Sequence, residues 1–519
     1  MTNDQPSDPR LSVADWCFVA GVTIFTYAAL FVFPATPIIV ENDSHLFAYE
    51  GARILSGDVI YRDFFEFTLP GTQLLYAALE WLFGQSYWLI HALTVVIMTS
   101  NAILLIKIAR YFVMGTLRFL PAAFFVFACL KSFGVDATHR MISPIFILAA
   151  IAVLLRGATK ARCAIAGALL GFSSFFTQQR GVVVLVAIVV YLIVRASSHK
   201  ESVVGRVGEL IGSFIVTLSI LCSYFVVTAG WNTFSWDTIV FPALYYSSGS
   251  PNSVSYLGYL ITGLSASDPK GLYTAVISIV VMFVLPVVTV IATVRSIRRR
   301  EFGAEFLLCL TAIALYLSSG TSPSFFRFYQ VAGPALVIAT VMIGRARILL
   351  NKPVAIFAAV AIAIPAIYQV ARTQFFADRQ IVEIPAGRVA IFDPDTAHKY
   401  EWLKSNTKPG DEVYEAAETW AYFPFQLKNP APISQIWPGE YTRPEQVDSV
   451  VRSLSQRKPA VVLWKTAYDL TDDQRRPDDH LAPVYHLLQD EYMNTGLRWP
   501  AQDSYVEVWL KKSEERRPL

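Results

Sequence analysis

The sequence predicts a multi-span α-helical membrane body joined to a small α/β domain outside the bilayer. Three observations predict it. Of the 519 residues, 54% are hydrophobic and only 16% are charged, against roughly 25% charged in soluble domains. The charge is unevenly placed: residues 1–372 carry 25 Lys/Arg and 17 Asp/Glu, whereas residues 373–519 carry 18 and 23 in less than half the length. Long apolar runs fill the first part and are missing from the second. The chain therefore divides into a transmembrane domain at 1–372, with its first outer loop at 40–85, and an extracytoplasmic domain at 373–519. This composition excludes a cytosolic globular enzyme, a disordered chain and a nucleic-acid binder.

A helical span needs about 20 mostly apolar residues. Runs of that kind lie at about 15–39, 87–109, 117–134, 141–156, 162–178, 181–196, 206–229, 271–294, 303–320, 328–345 and 353–371, giving about 11 transmembrane helices. The stretch 70–84 is shorter and is interrupted by Glu80. Positive charge decides its place, because cytoplasmic loops are enriched in Lys and Arg. If 70–84 does not cross, Lys107/Arg110/Arg118, Arg156/Lys160/Arg162, Arg195/Lys200/Arg206, Arg295/Arg298/Arg299/Arg300 and Arg345/Arg347/Lys352 all fall on one side. The expectation is a cytoplasmic N-terminus, an interfacial helix at 70–84 and an outer C-terminal domain in a bacterial inner (plasma) membrane. Residues 1–14 are polar and the apolar run after them is too long for a cleavable signal. The cysteines Cys17, Cys129, Cys163, Cys222 and Cys309 sit in apolar runs with no metal spacing, which reads as buried small hydrophobes.

The tail alternates short strands, at 389–392, 412–415, 460–464 and 505–510, with helices at 396–405, 444–456 and 481–492. That pattern is a small α/β domain. It has no glycine-rich phosphate loop, and Asp393-Pro-Asp395 reads as a turn or helix cap rather than a metal motif. The outer loop 230–270 is rich in aromatics, including Trp231, Phe234, Phe241, Tyr245, Tyr246, Tyr256 and Tyr259. It reads as an interfacial aromatic belt or as a lid over a lipid groove.

Ionisable residues at membrane depth are costly and default to a functional role. Six outer acids crowd into 41–66: Glu41, Asp43, Glu50, Asp58, Asp63 and Glu66. Asp43 follows the first span, where it also suits an N-cap for the helix opening at Ser44. Asp136 sits in the very short second outer loop, followed by His139. Lys131, Arg140, Arg180 and Arg327 stand at outer span ends, against the positive-inside bias. Each alone reads as a snorkelling side chain. Together they suggest an anion site, and the arginine fork suits phosphate. An anionic lipid head group is a natural ligand.

Residues 41–84 then show a recognisable order: an acid after the first span, a helix closing in Leu55-Ser56-Gly57, then Tyr61-Arg62-Asp63, then Pro70 opening a second helix. This resembles the first outer loop of the GT-C glycosyltransferases that use polyprenyl-phosphate sugars, the group of the protein mannosyltransferases (family 39) and the lipid A aminoarabinose transferase. Gln178-Gln179-Arg180 between two spans and Arg327-Phe328-Tyr329 before Pro334 are further echoes. The resemblance implies an inverting transfer from a polyprenyl-phosphate sugar to a glycan or lipid-linked acceptor. It implies Asp43 as general base, with Glu66 and Asp136 as further acids. Arg62, Lys131, His139, Arg140, Gln178, Arg180, Arg327 and Tyr329 are then substrate-binding candidates. It fixes no cofactor. A divalent cation between Asp43 and Asp136 is compatible with hard oxygen ligands, and nothing in the spacing demands one. Two departures stand out. Relatives often pair two acids where this chain has Asn42-Asp43-Ser44, and the Lys-Pro-Pro of some is Leu69-Pro70-Gly71 here. The second argues against the aminoarabinose-transferring subgroup. The rival readings are a polyprenyl-linked glycan ligase or polymerase, and a transporter or flippase of lipid-linked substrate.

Overall fold

The structure is a computed structural model. It describes residues 10–131, 136–200, 202–246, 275–320, 325–346, 364, 367–416, 418–438, 441–468, 480–501 and 504–512. By its internal contacts the chain forms two units: one of 1–30, 91–223 and 252–376, the other of 31–90, 224–251 and 377–519.

The first unit is a helical membrane body. It holds α1 (Val13–Leu30), most of α4 (Tyr87–Ala109), then α5 (Leu120–Lys131), α6 (His139–Leu155), α7 (Lys160–Phe176), α8 (Gln178–His199), most of α9 (Val204–Ala229), α11 (Ala275–Arg299), α12 (Ala304–Ser318), α13 (Phe325–Val331) and α14 (Gly333–Ala346). Among the described residues, α1, α4, α8, α9 and α11 are long and apolar enough to cross a bilayer, and α13 with α14 makes a sixth candidate bent by 68°. The protein is thus a multi-span helical membrane protein, and five or six of the expected spans meet that length among the described residues. The expected runs at 117–134, 141–156, 162–178 and 303–320 fold as helices of 12, 17, 17 and 15 residues. At 1.5 Å per residue, 17 residues reach only about 25 Å. The expected run at 353–371 lies largely outside the described residues.

The first span is also shorter than expected from its apolar run to residue 39. α1 stops at Leu30, and a hairpin of β1 (Phe31–Val32) and β2 (Thr36–Pro37) follows. Pro34 cannot continue a helix, which accounts for the stop. At the other end Asp15 is fully buried and accepts from Arg110 Nη1 and Arg118 Nε, both at 2.6 Å. This charge pair ties α1 to the turn after α4.

The second unit holds the first outer loop and the C-terminal sheet. Its helices are α2 (Ser44–Leu55), α3 (Gly71–Phe83) and the short α10 (Trp231–Ser235). α3 has 13 residues and cannot span; it buries Tyr76, Ala77 and Glu80 and exposes Trp81, Leu82 and Phe83, the habit expected of an interfacial helix. Next come β3 (Gln380–Ile384), β4 (Gly387–Ile391), α15 (Pro394–Asn406), β5 (Val413–Glu415), α16 (Tyr422–Phe425), α17 (Pro444–Arg457), β6 (Val461–Lys465), α18 (Ala482–Glu491), β7 (Tyr492–Ala501) and β8 (Ser504–Lys511). β3 and β4 form a hairpin, and the main sheet runs β5-β6-β8-β7. β5 and β6 are parallel, as their connection through α17 permits. Asp393 caps α15, accepting from Thr396 N at 2.8 Å, so the Asp-Pro-Asp motif is a helix start. The first loop is stitched to the β3–β4 hairpin, α16 and the loop at Pro432. Ile39 N donates to the Ala390 carbonyl at 2.9 Å, Tyr87 N to Ala386 at 2.8 Å and Phe65 N to Pro432 at 3.0 Å, and the Tyr49 and Tyr422 rings stack at 4.7 Å.

α2 and α3 touch so closely at Gly51 that a Cβ there would lie 2.8 Å from Ala77 N and from Tyr76 Cβ. Overpacking of this kind costs about 1–3 kcal/mol or more. Gly51→Val is expected to lower the unfolding temperature in detergent sharply, while Gly21→Ala, at an open site on α1, leaves it unchanged. Equal unfolding temperatures for the two variants would show that this helix crossing is not tight.

Candidate functional site

The helix ends of the membrane body gather cations. α6 and α8 both start at one end because α7 turns the chain back between them. Thr177, in extended conformation at the α7–α8 junction, donates through Oγ1 to the His139 carbonyl at 3.1 Å. Arg180, in the first turn of α8, is buried. Its Nη1 donates to the Arg140 carbonyl and, at 3.2 Å, to Ser143 Oγ; its Nη2 donates to Gln330 Oε1 at 3.4 Å. Arg140 and Arg327 are its cationic neighbours and Asp136 its acidic one. Arg140 stacks its guanidinium 5.2 Å from the Phe326 ring centre. Three guanidiniums beside one carboxylate, next to helix N-termini whose free N–H groups also favour anions, make an electropositive site suited to phosphate.

The broken helix supplies the third wall. The sequence suggested one unbroken span at 328–345, but α13 and α14 meet at an angle of 68°. Pro334 stands just after the break, and such breaks are tolerated where the backbone is sheltered inside protein. The break carries Gln330 and Tyr329, both buried, to the arginines and to Met141, whose sulfur takes the Tyr329 hydroxyl at 3.4 Å. Asp136 is buried with Oδ1 accepting from Thr138 Oγ1 at 3.0 Å. His139, Arg140, Gln178 and Arg327 are half-buried. Lys131 ends α5, and its side chain lies outside the described residues.

The acids of the first loop belong to the other unit. Asp43 occupies the N-cap position of α2, yet its side chain makes no capping bond; the turn is held by Asn42 Oδ1, which accepts from Ser44 N at 2.9 Å. Glu66 is buried and accepts from Thr68 N at 2.7 Å. Gln73 Nε2 donates to Glu50 Oε2 at 3.1 Å. Burial, and then the charge of Glu66, hold the Glu50 carboxyl well above the usual carboxylate range. Burial lifts Glu66 too, against the hydrogen bond from Thr68, and burial plus Glu66 lift Asp237 to about 8. Burial thus disfavours the charged form of all three acids. Arg62 is exposed and already forked onto Asp63, at 3.0 and 2.7 Å. Phe241 and Tyr246 of the aromatic loop pack on Phe67, at 5.6 and 4.9 Å; Tyr256 and Tyr259 lie outside the described residues. Sequence reasoning missed Gln330, Ser143 and Gln73, neutral residues whose only signal is position. No group of three or more His, Cys, Asp or Glu able to hold a metal is present among the described residues.

No family model and no curated protein matches the sequence. Solved structures do. ArnT from Cupriavidus metallidurans bound to undecaprenyl phosphate shares 15% identity, covering 96% of this chain and 98% of its own, with a TM-score of 0.58. The apo form of the same enzyme gives 14%, 95%, 97% and 0.57. The archaeal oligosaccharyltransferase AglB from Archaeoglobus fulgidus, in complex with an inhibitory peptide and a dolichol-phosphate, is more distant, at 12%, 98%, 75% and 0.48. The likeness to ArnT shows that this chain has the same fold.

Burial raises the Asp136 carboxyl to about 7, with Thr138 and Arg180 pulling the other way. The folded chain therefore keeps a proton that the unfolded chain releases near pH 4. Asp136 then contributes a stability that is full below pH 4, falls as pH rises to about 7 and is lost above it. Asp136→Asn is expected to remove that slope, and to be about 4 kcal/mol more stable than wild type at pH 8 relative to their difference at pH 4. Unfolding temperatures of both proteins at the two pH values check it; parallel profiles would assign the slope to another group.

Proposed function

We propose that this chain is a membrane glycosyltransferase that moves a sugar, with inversion, from a polyprenyl-phosphate donor to a glycan or lipid-linked acceptor. The reaction takes place on the outer face of a bacterial plasma membrane, with the C-terminal domain on that face. The observation that carries the proposal is the buried Arg180 with Arg140 and Arg327, set in a fold shared along nearly its whole length with a protein solved with undecaprenyl phosphate bound. Arg180 and its neighbours bind the donor phosphate and stabilise the charge that grows on it as the sugar departs. Asp43 accepts the proton of the attacking hydroxyl. Asp136, with Thr138, and His139 line the phosphate end, and Tyr329 and Gln330 fix the arginine. Glu66, held with Glu50 and Gln73, shapes the acid loop rather than acting as a free base. Lys131, Gln178 and Arg62 are outer contacts for the lipid phosphate or the acceptor.

One observation favours a second reading. A helix broken beside a polar site is also a habit of transporters, and the bend between α13 and α14 fits that. The readings separate in one experiment: purified protein in liposomes, a labelled polyprenyl-phosphate sugar, and mass spectrometry of products and of surface glycans from a deletion strain. Transfer to an acceptor is expected. Asp43→Asn is expected to lower it by about 10²–10⁴, and Arg180→Ala by about 10²–10³ with the larger effect on donor use. Movement of the donor across the bilayer with no product would replace the transferase by the flippase. Full activity in Asp43→Asn would move the base to another acid.

A further inference from the structure

Asp43 lies where the chain leaves one element and enters another. Ile39 N bonds the Ala390 carbonyl of β4 at 2.9 Å, and α2 opens at Ser44, so residues 40–43 belong to neither. The helix start is already provided for. Asn42 Oδ1 accepts from Ser44 N at 2.9 Å, and the Asn42 carbonyl accepts from His45 N at 3.1 Å. Yet two further holds close on the same turn.

The first is Tyr87, fully buried at the start of α4. Its hydroxyl oxygen accepts from Val40 N at 3.1 Å and shares a proton with His45 Nε2 at 2.9 Å. Val40 precedes Asp43 by three residues and His45 follows it by two, so one oxygen ties both flanks of the turn. A hydroxyl, with a proton and two lone pairs, is suited to that double use. The His45 ring is fully buried as well, 5.3 Å from the Tyr87 ring. Tyr87 is itself anchored, since its N donates at 2.8 Å to Ala386, in the turn between β3 and β4. The second hold is charged. Lys399 of α15 is only 5% exposed, and its ammonium stands 3.4 Å from Glu41 Oε1 and 3.7 Å from Glu415 Oε1 on β5.

Starting a helix needs neither contact, because Asn42 supplies the cap. What they fix is where the turn lies relative to α4, α15 and the β3–β4 hairpin. A base needs that constraint, because it must meet the attacking hydroxyl within hydrogen-bond reach. A misplacement of about 1 Å can cost about 10²-fold in rate. We propose that Tyr87 is a positioning residue for the transfer: its hydroxyl, helped by the Glu41–Lys399 pair, holds the turn that carries Asp43. The catalytic part rests on the reading of Asp43 as the base; the hold on the turn does not.

The test uses the full chain in detergent. Amides of residues 38–47 are expected to exchange hydrogen about tenfold faster or more in Tyr87→Phe than in wild type. Tyr468→Phe, which loses a buried hydroxyl bond to the Ile436 carbonyl, should leave that segment as in wild type. In the transfer assay Tyr87→Phe should lower kcat about 10–10²-fold and leave the donor KM within about twofold. Added to Asp43→Asn, it should cost less than about twofold more, since a residue that acts through Asp43 then has nothing left to place. Unchanged exchange at 38–47, an unchanged kcat, or the same loss in both backgrounds would each overturn the proposal. A wild-type chain that yields no product overturns the transferase reading and the catalytic role with it, while the exchange rates still decide the hold on the turn.

Discussion

The membrane body is organised around one unfavourable fact, a buried guanidinium with two like charges for neighbours. Burying Arg180 strips it of water, and Arg140 and Arg327 repel it. It persists because its N–H groups are met by the Arg140 carbonyl, Ser143 and Gln330. That requirement explains otherwise separate features: the common starting level of α6 and α8, the hydroxyl on the second turn of α6, and the break that turns Gln330 inward. The arrangement balances more fully when an anion sits among the arginines, as a binding site for phosphate should.

The second unit is built on a different principle. Its first loop packs α2 on α3 and completes itself on the β3–β4 hairpin, α16 and the loop at Pro432. The β2–β4 contact, the Tyr49–Tyr422 stack and the backbone bonds from Phe65 and Tyr87 fix the chain on both sides of Asp43. The position of the proposed base is thus set by residues more than 300 positions later in the sequence.

The C-terminal elements were legible because short apolar runs alternated with helical stretches, and all four expected strands and three helices are present. β7 was not legible: Asn494, Gly496 and Pro500 read as breakers, and they are tolerated only because it is an edge strand with an irregular register between Asn494 and Arg498. Arg180, Arg140 and Arg327 were legible through their charge, since each stood against the topology bias. The break before Gly333 was not, because a proline near a helix start can open a helix without bending one. The Lys399 cluster hid for another reason. On a helix of a polar domain, a lysine looks like a solvated surface charge, and only the fold shows three carboxylates closing over it.

The bridge between Ile38 and Ala390 has a consequence for biosynthesis. The two residues are about 350 positions apart, and ribosomes add roughly 5–20 residues per second. The outer loop therefore waits roughly 20–70 seconds for its partner strand. During that time the polar backbone of β2 and the aromatic face of Tyr49 stay uncovered. Assembly of the loop is tied to delivery of the last quarter of the chain, so a nascent protein stalled before that point holds its membrane helices but not a finished acid loop.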